Sequence, residues 1–261
     1  MKKLVRNRRG LSPVISTVIL TSTILAMVLS TSYLANDLLT NQMENAEFDV
    51  AKDVMDALNN MVKEVLYKPY SSRYVKTGFR TTMPNLHNTA ETINVWTKVD
   101  DEPIEYLIQN NPISIVTIKG GTSVTDLSMD MIGTSSVLLN DFTSLGHLFI
   151  QRSDQVELIL DFSRIRCIYS GSLNVSQEYN IIEAVFINMT TGSIQLNDRA
   201  VIMVRNLGTT ISQHLYQGTL TIGINDTRGN DDAILYSDLP HETTLINLMV
   251  IDIEISIVGG V

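Results

Sequence analysis

Residue types able to do chemistry are present in this chain, but their spacing does not assemble them. The histidines His87, His147, His214 and His241 are far apart, and none has a ligand partner at helical or loop spacing. No His-Glu-x-x-His, paired-cysteine or calcium-loop pattern occurs, so no metal centre is expected. Asp226, Asp231 and Asp232 crowd one short stretch around Gly229-Asn230. Their spacing matches no defined cation site, and a solvated hairpin loop is the simpler expectation. Gly120-Gly121-Thr122-Ser123 lacks the lysine of a phosphate-binding loop and reads as a turn. Serines abound without a Gly-x-Ser-x-Gly elbow. Cys167 is the one cysteine, set in an alternating apolar stretch, and is expected as a small core residue. The expectation is a non-enzyme with no cofactor and no catalytic residue.

Two kinds of modification chemistry are legible. Asn174-Val-Ser176, Asn188-Met-Thr190 and Asn225-Asp-Thr227 each fit the glycosylation acceptor pattern, with Asn225 favoured for its loop setting. The other is proteolytic. Lys2, Lys3, Arg6, Arg8 and Arg9 precede Gly10, and an uncharged run from Leu11 to Asn36 follows it. Ser12 suits a helix N-cap and Pro13 the first helical turn, which leaves Gly10–Leu11 extended and accessible. Cleavage there removes the positive charges and keeps the apolar helix, taking the net charge from −9 to −14. So acidic a chain repels DNA, RNA and anionic lipid, so nucleic acid is not an expected partner.

The elements that position these features follow in order. An uncharged run of this length can span a hydrocarbon core of roughly 30 Å as a helix. The basic flank keeps the N-terminus cytoplasmic and sends the remainder outside. A cleaved secretory signal fits poorly, because the helical pattern runs straight through the small residues Ser30, Thr31, Ser32 and Ala35. Ser16, Thr17, Thr21, Ser22, Thr23, Ser30, Thr31 and Ser32 stud the run. They can let helices pack closely, or simply bond carbonyls of their own helix. From Leu34 the apolar residues take helical spacing: Leu38, Met43, Ala46, Val50, Val54, Leu58, Met61 and Val65. One continuous helix is expected from about Ser12 to Leu66 or Tyr67, ended by Pro69.

Residues 68–91 read as a connector in which Tyr67, Lys68, Tyr70, Arg73, Tyr74, Lys76, Phe79 and Arg80 interleave rings and charges. A single-strand nucleic-acid platform can be built this way. A loop wrapping the helix, with packed rings and solvated charges, is the preferred reading. From Thr92 the period becomes two. Short candidate strands run from Ile93–Val99 to the long Thr243–Ile257, which is expected inside a sheet near the helix. Ser170-Gly171, Thr191-Gly192, Gln217-Gly218 and Gly229-Asn230 are read as turn signals. The fold class is α+β: a long N-terminal helix, then an all-β antiparallel sandwich or barrel-like head over residues 92–261.

The stretch Arg8-Arg9-Gly10-Leu11-Ser12-Pro13-Val14-Ile15 resembles the class III signal and mature start of archaeal type IV pilins. The resemblance covers about the first 40 residues. Bacterial relatives usually carry Glu at the fifth mature position, where this chain has Ile15, which favours the archaeal branch. The resemblance implies removal of residues 1–10 by a prepilin peptidase cutting between Gly10 and Leu11. It implies a helix over residues 11–67 that spans the membrane in the precursor. It also implies that Val14, Ile15, Val18, Ile19, Leu20, Ile24, Leu25, Met27, Val28, Leu29 and Leu34 enter a filament core. Partners would be copies of the chain, the peptidase and the pilus assembly machinery, with the filament at the cell surface serving adhesion or contact. An archaellin is a lower-ranked variant of this reading. The alternatives left open are a single-pass anchored ectodomain that binds a ligand without polymerising, and an enzyme domain on an anchor.

Overall fold

In the computed structural model, described over residues 13–78, 84–100, 102–174, 178–195 and 200–259, one helix is followed by an all-β domain. Helix α1 covers Pro13–Leu66, 54 residues without a break, or about 80 Å at the α-helical rise of ~1.5 Å per residue. After Pro13, whose missing N–H costs nothing in the first turn, no residue of the helix lacks a backbone donor, since the next proline is Pro69. Its last carbonyls are met from outside: the buried Asn206 side chain donates to the Val65 oxygen (2.9 Å) and the Leu66 oxygen (3.1 Å). The chain forms two compact units, residues 1–43 and 44–261, so α1 belongs partly to each.

Within the second unit, α1 buries Phe48, Ala51, Met55, Leu58, Val62 and Val65. These repeat at alternating steps of three and four residues, the spacing of a helix seam. The stripe expected from sequence is partly out of phase. Val54, Leu58, Met61 and Val65 are buried, but Ala46 and Val50 face outward. Phe48 explains the difference. Its ring has far more apolar area to bury than Ala46 or Val50, and it sets the rotation of the face.

The head has two sheets. The first runs β1 (Ser72–Thr77), β10 (Ala200–Gln217), β13 (Thr243–Gly259), β9 (Glu178–Ile194), β8 (Ile165–Asn174) and β5 (Leu138–Leu139). The second runs β12 (Asp231–Tyr236), β11 (Leu220–Asp226), β2 (Pro84–Val99), β3 (Glu105–Lys119), β7 (Val156–Asp161), β6 (His147–Arg152) and β4 (Met129–Ile132). Ile182, Ala184, Phe186, Ile246 and Leu248 of the first sheet meet Ile93, Val95, Ile222 and Ile224 of the second. On the opposite parity Val185, Ile187, Met189, Ile251, Ile253, Ile255 and Ile257 join the cluster containing α1. The first sheet is therefore buried on both faces at its centre, which is why the β13 sequence is nearly continuous in Ile, Leu and Val. Its position inside the sheet and beside the helix agrees with the sequence reading.

Three expectations need correction. The head is not purely antiparallel: β13 pairs parallel with β9, and β5 pairs parallel with β8. The final strand is inserted between β9 and β10, which are neighbours in sequence but not in the sheet. The stretch 68–91 is not a plain connector, since it holds β1 and the start of β2. Its rings are not packed either: Tyr67, Tyr70 and Tyr74 are exposed, and Arg73 bonds Glu64 of the helix at 2.9 Å. Phe79 and Arg80 lie outside the described residues. Lastly, Ser170-Gly171 and Thr191-Gly192 close no hairpin, because both sit inside strands. Gly171, at φ +136°, marks a bulge in β8. At Gly192 a Cβ would collide with the Ser256 hydroxyl, so glycine serves close approach there. Bulges likewise fuse candidate strands. Ala200–Arg205 and Thr210–Tyr216 become the single β10, bent between Asn206 and Gly208.

Candidate functional site: the exposed apolar helix

The first half of α1 reverses the usual placement of apolar side chains. Ile15, Val18, Ile19, Leu20, Ile24, Leu25, Met27, Val28, Leu29 and Leu34 are all about half exposed or more, from 49% at Ile15 to 64% at Leu34. The Val14 backbone is helical, but its side chain lies outside the described residues. From Ile15 onward the helix is long and apolar enough to cross a membrane, and it stands near the N-terminus as a candidate membrane anchor or signal. No Asp, Glu, Lys or Arg occurs between Leu11 and Asn36.

Four hydroxyl groups of this stretch are satisfied within the helix. Thr21 donates to the Thr17 oxygen at 2.9 Å, Thr23 to Ile19 at 2.7 Å and Thr31 to Met27 at 2.7 Å, while Ser22 bonds the Val18 oxygen. Thr40 repeats the pattern with Asn36 at 3.0 Å. Each of these hydroxyls therefore enters an apolar medium without an unmet bond, and its small size still lets a neighbouring helix approach. Lys2, Lys3, Arg6, Arg8, Arg9, Gly10, Leu11 and Ser12 lie outside the described residues, and Pro13 opens the helix.

The head's polar clusters are structural in geometry. The expected triple-aspartate loop is split among separate tasks. Asp226 ends β11 and accepts from the backbone N–H groups of Arg228 and Asn230, each at 3.0 Å, and from both of their side chains at 2.8 Å. Asp232 instead turns to Ser136 and the Val137 N–H, each at 3.0 Å. Arg228 also reaches Asp161 at 2.7 Å. Burial pushes the Asp161 carboxyl up, but Arg228 beside it and the bonds from Ser163 outweigh burial and hold it below the usual carboxylate value. The His147 ring meets Asp130 at 2.7 Å, and burial nonetheless keeps its pKa below the ordinary value. Burial pushes the Cys167 thiol up to about 12, the behaviour of the inert core residue expected from sequence. Among the described residues, no group of three or more His, Cys, Asp or Glu side chains is placed to hold a metal ion.

The sequons differ in setting. Asn174 ends β8, and Ser176 lies outside the described residues. Asn188 sits within β9, where its amide nitrogen donates to Asp252 at 2.7 Å and its oxygen accepts from Asn111 at 3.2 Å. Asn225 is not in the loop, as sequence had it, but is the next-to-last residue of β11, with its side-chain oxygen buried and unpartnered. The hairpin pairing of β11 with β12 draws it into the sheet, across from Asp231 and Asn94.

Sequence reasoning missed a groove of about 370 Å³ on the helix-side face of the first sheet, lined among others by Tyr67, Phe142, Arg166, Glu183, Ile211 and Met249. The signal available was weak: an apolar residue (Phe142) within a polar loop, and Ile211 and Leu215 alternating with Ser212 and His214 along a strand. No family of known proteins, curated protein or solved structure matches this chain.

Proposed function

We propose that this chain is a structural subunit of an archaeal type IV pilus-like surface filament. The supporting observation is one helix with two natures: a charge-free, solvent-facing half continuous with a half that is packed beneath a β-rich head. In this reading the basic cluster Lys2, Lys3, Arg6, Arg8 and Arg9 orients insertion, and a prepilin peptidase cuts between Gly10 and Leu11. That cut discards charges that a bundle of helices has no partner for. The helices of many copies then exchange lipid for one another, and the acidic heads form the outer surface for adhesion or contact.

The test is the mass of the mature N-terminus. A chain beginning at Leu11, recovered in filaments sheared from cells, is the expected result. A chain that retains Met1 or Lys2 overturns the proposal. Gly10→Val should block processing and surface appearance.

A second reading, a single-pass anchored extracellular domain that stays monomeric, is favoured by the internally satisfied hydroxyls, since such a helix is at ease in lipid alone. Recovery of the chain wholly from membranes, with none in sheared filaments, would select it.

A further inference from the structure

Among the described residues, the first sheet has an edge stretch guarded by neither charge nor proline. Strand β1 pairs with β10 only from Ala200 to Arg205, and the last contact is the Asn206 N–H donating to the Ser71 oxygen at 2.9 Å. Beyond the bulge at Asn206/Gly208, β10 continues to Gln217 with β13 on one side. Among the described residues no strand pairs with its other side. Exposed strand edges are normally blunted by charge, proline, bulges or short length. Leu207–Gln217 reads LGTTISQHLYQ, with no proline and no Asp, Glu, Lys or Arg. Other edges are guarded. Strand β12 opens with Asp231-Asp232, β4 carries Asp130 and is 4 residues long, and the outer part of β8 is broken by the Gly171 bulge.

We infer that this edge is an interface between two copies of the chain, formed by antiparallel β10–β10 pairing about a two-fold axis at Gln213. Directly opposed residues in such a pair lie on the same face of the sheet, so the two residue numbers must sum to an even value. The axis at Gln213 sets Ile211 of each copy opposite Leu215 of the other, each 61% exposed in the single chain. It sets Gln213 opposite Gln213, and on the other face Ser212 opposite His214. Moving the axis by one residue either way places an exposed apolar residue against glutamine. The edge carries no charge in a chain of net charge −9, so two anionic heads can meet there without like charges in opposition. Antiparallel pairing also brings the Arg205 end of each strand toward the Asp100 end of the other, where Asp100 accepts from the Thr219 N–H at 3.2 Å. Arg205 is exposed, with Glu254 across from it on β13. The pairing satisfies outward backbone groups along about ten residues per copy. It does not depend on whether the N-terminal helix polymerises.

The test uses the full chain in detergent micelles. Opposed Cα atoms in an antiparallel pair lie about 4.5–5.5 Å apart, within disulfide reach. Gln213→Cys should give a covalent dimer on mild oxidation. The wild type should not, since Cys167 is buried, nor should Leu235→Cys, an exposed position on β12. Gln213→Lys sets two positive charges on the axis and should move the two-fold mass step in light scattering to at least tenfold higher concentration, with an unchanged melting temperature. The inference is overturned by a wild type that loses the step when the N-terminal helices are kept in separate micelles. It is also overturned by cross-linking at Leu235→Cys as fast as at Gln213→Cys, or by a dimer unaffected by Gln213→Lys.

Discussion

The two halves of α1 have similar propensity for helix and opposite relations to their surroundings. From Ile15 to Met43 its Ile, Leu, Val and Met side chains face outward on every side. From Glu44 to Leu66 one seam, Phe48-Ala51-Met55-Leu58-Val62-Val65, is buried, and acids and lysines occupy the rest. Ion pairs decorate the second half, where Lys52 bridges Asp49 at 2.9 Å and Asp126 at 2.5 Å. Ser and Thr bonded back to carbonyls decorate the first. A helix with one apolar seam is matched to a partner on one side, whereas a helix apolar all round is matched to an apolar medium or to many partners. Substitutions in the two halves should therefore fail in different assays.

The sharpest separation comes from Leu58→Ala. Leu58 is fully buried between helix and sheets, so its truncation should cost about 4 kcal/mol and lower the melting temperature by roughly 10 °C. Membrane partitioning of the chain should be untouched. Leu25→Lys is the reverse experiment. A lysine at the middle of a spanning helix costs about 3 kcal/mol of insertion. Integration in microsomes should fall, while the head's thermal unfolding stays at the wild-type value. Parallel losses in both assays for either variant would mean that the halves are not independent.

Asn206→Ala tests what ends the packed half. It removes the buried donor to the Leu66 carbonyl and leaves the Val65 carbonyl only the Lys68 N–H at 3.0 Å, and should cost about 2 kcal/mol, read by chemical denaturation. Asp161→Asn strips a buried carboxylate from Arg228, at a cost of about 2 kcal/mol at pH 7, since Arg228 keeps Asp226. Asp161 is held below its ordinary pKa, so its stabilisation is fully present above that value. It is lost as pH falls through the lower folded value. A wild type whose stability drops below about pH 4, beside an Asp161→Asn variant with a shallower drop, is the expected pair of curves. The smallest effect belongs to Thr21→Val. Its hydroxyl is already bonded to Thr17, so insertion should change by about 0.5 kcal/mol or less.

The long helix, its two-part character, the β-rich head and the buried Cys167 were legible in the sequence, because each rests on a local signal: charge, period or a proline. The rotation of the packed face was not. Val50 and Phe48 both fit a 3.6 period, and only the space beneath the sheets decides which one is buried. The setting of Asn225 escaped for a related reason. The aspartates around Gly229 mark a turn, but not how far β11 extends before it. The groove at Tyr67 and Phe142 joins residues far apart in the chain, and no local pattern announces it.

What the sequence alone determined is a charge-free run bounded by Arg9 and Asp37, a helix continuing unbroken toward Pro69, and thereafter strands rather than helices. These are properties of neighbouring residues, since hydropathy, period and proline act within a few positions. Tertiary structure alone decided that β13 lies parallel to β9, that bulges at Asn206 and Gly171 fuse candidate strands, and that no strand among the described residues pairs with the outer edge of β10 beyond Gly208. A strand's period of two identifies its faces but not its neighbours, because either edge of any strand offers the same backbone donors and acceptors. The choice among them is made by the packing of the whole sheet on the helix.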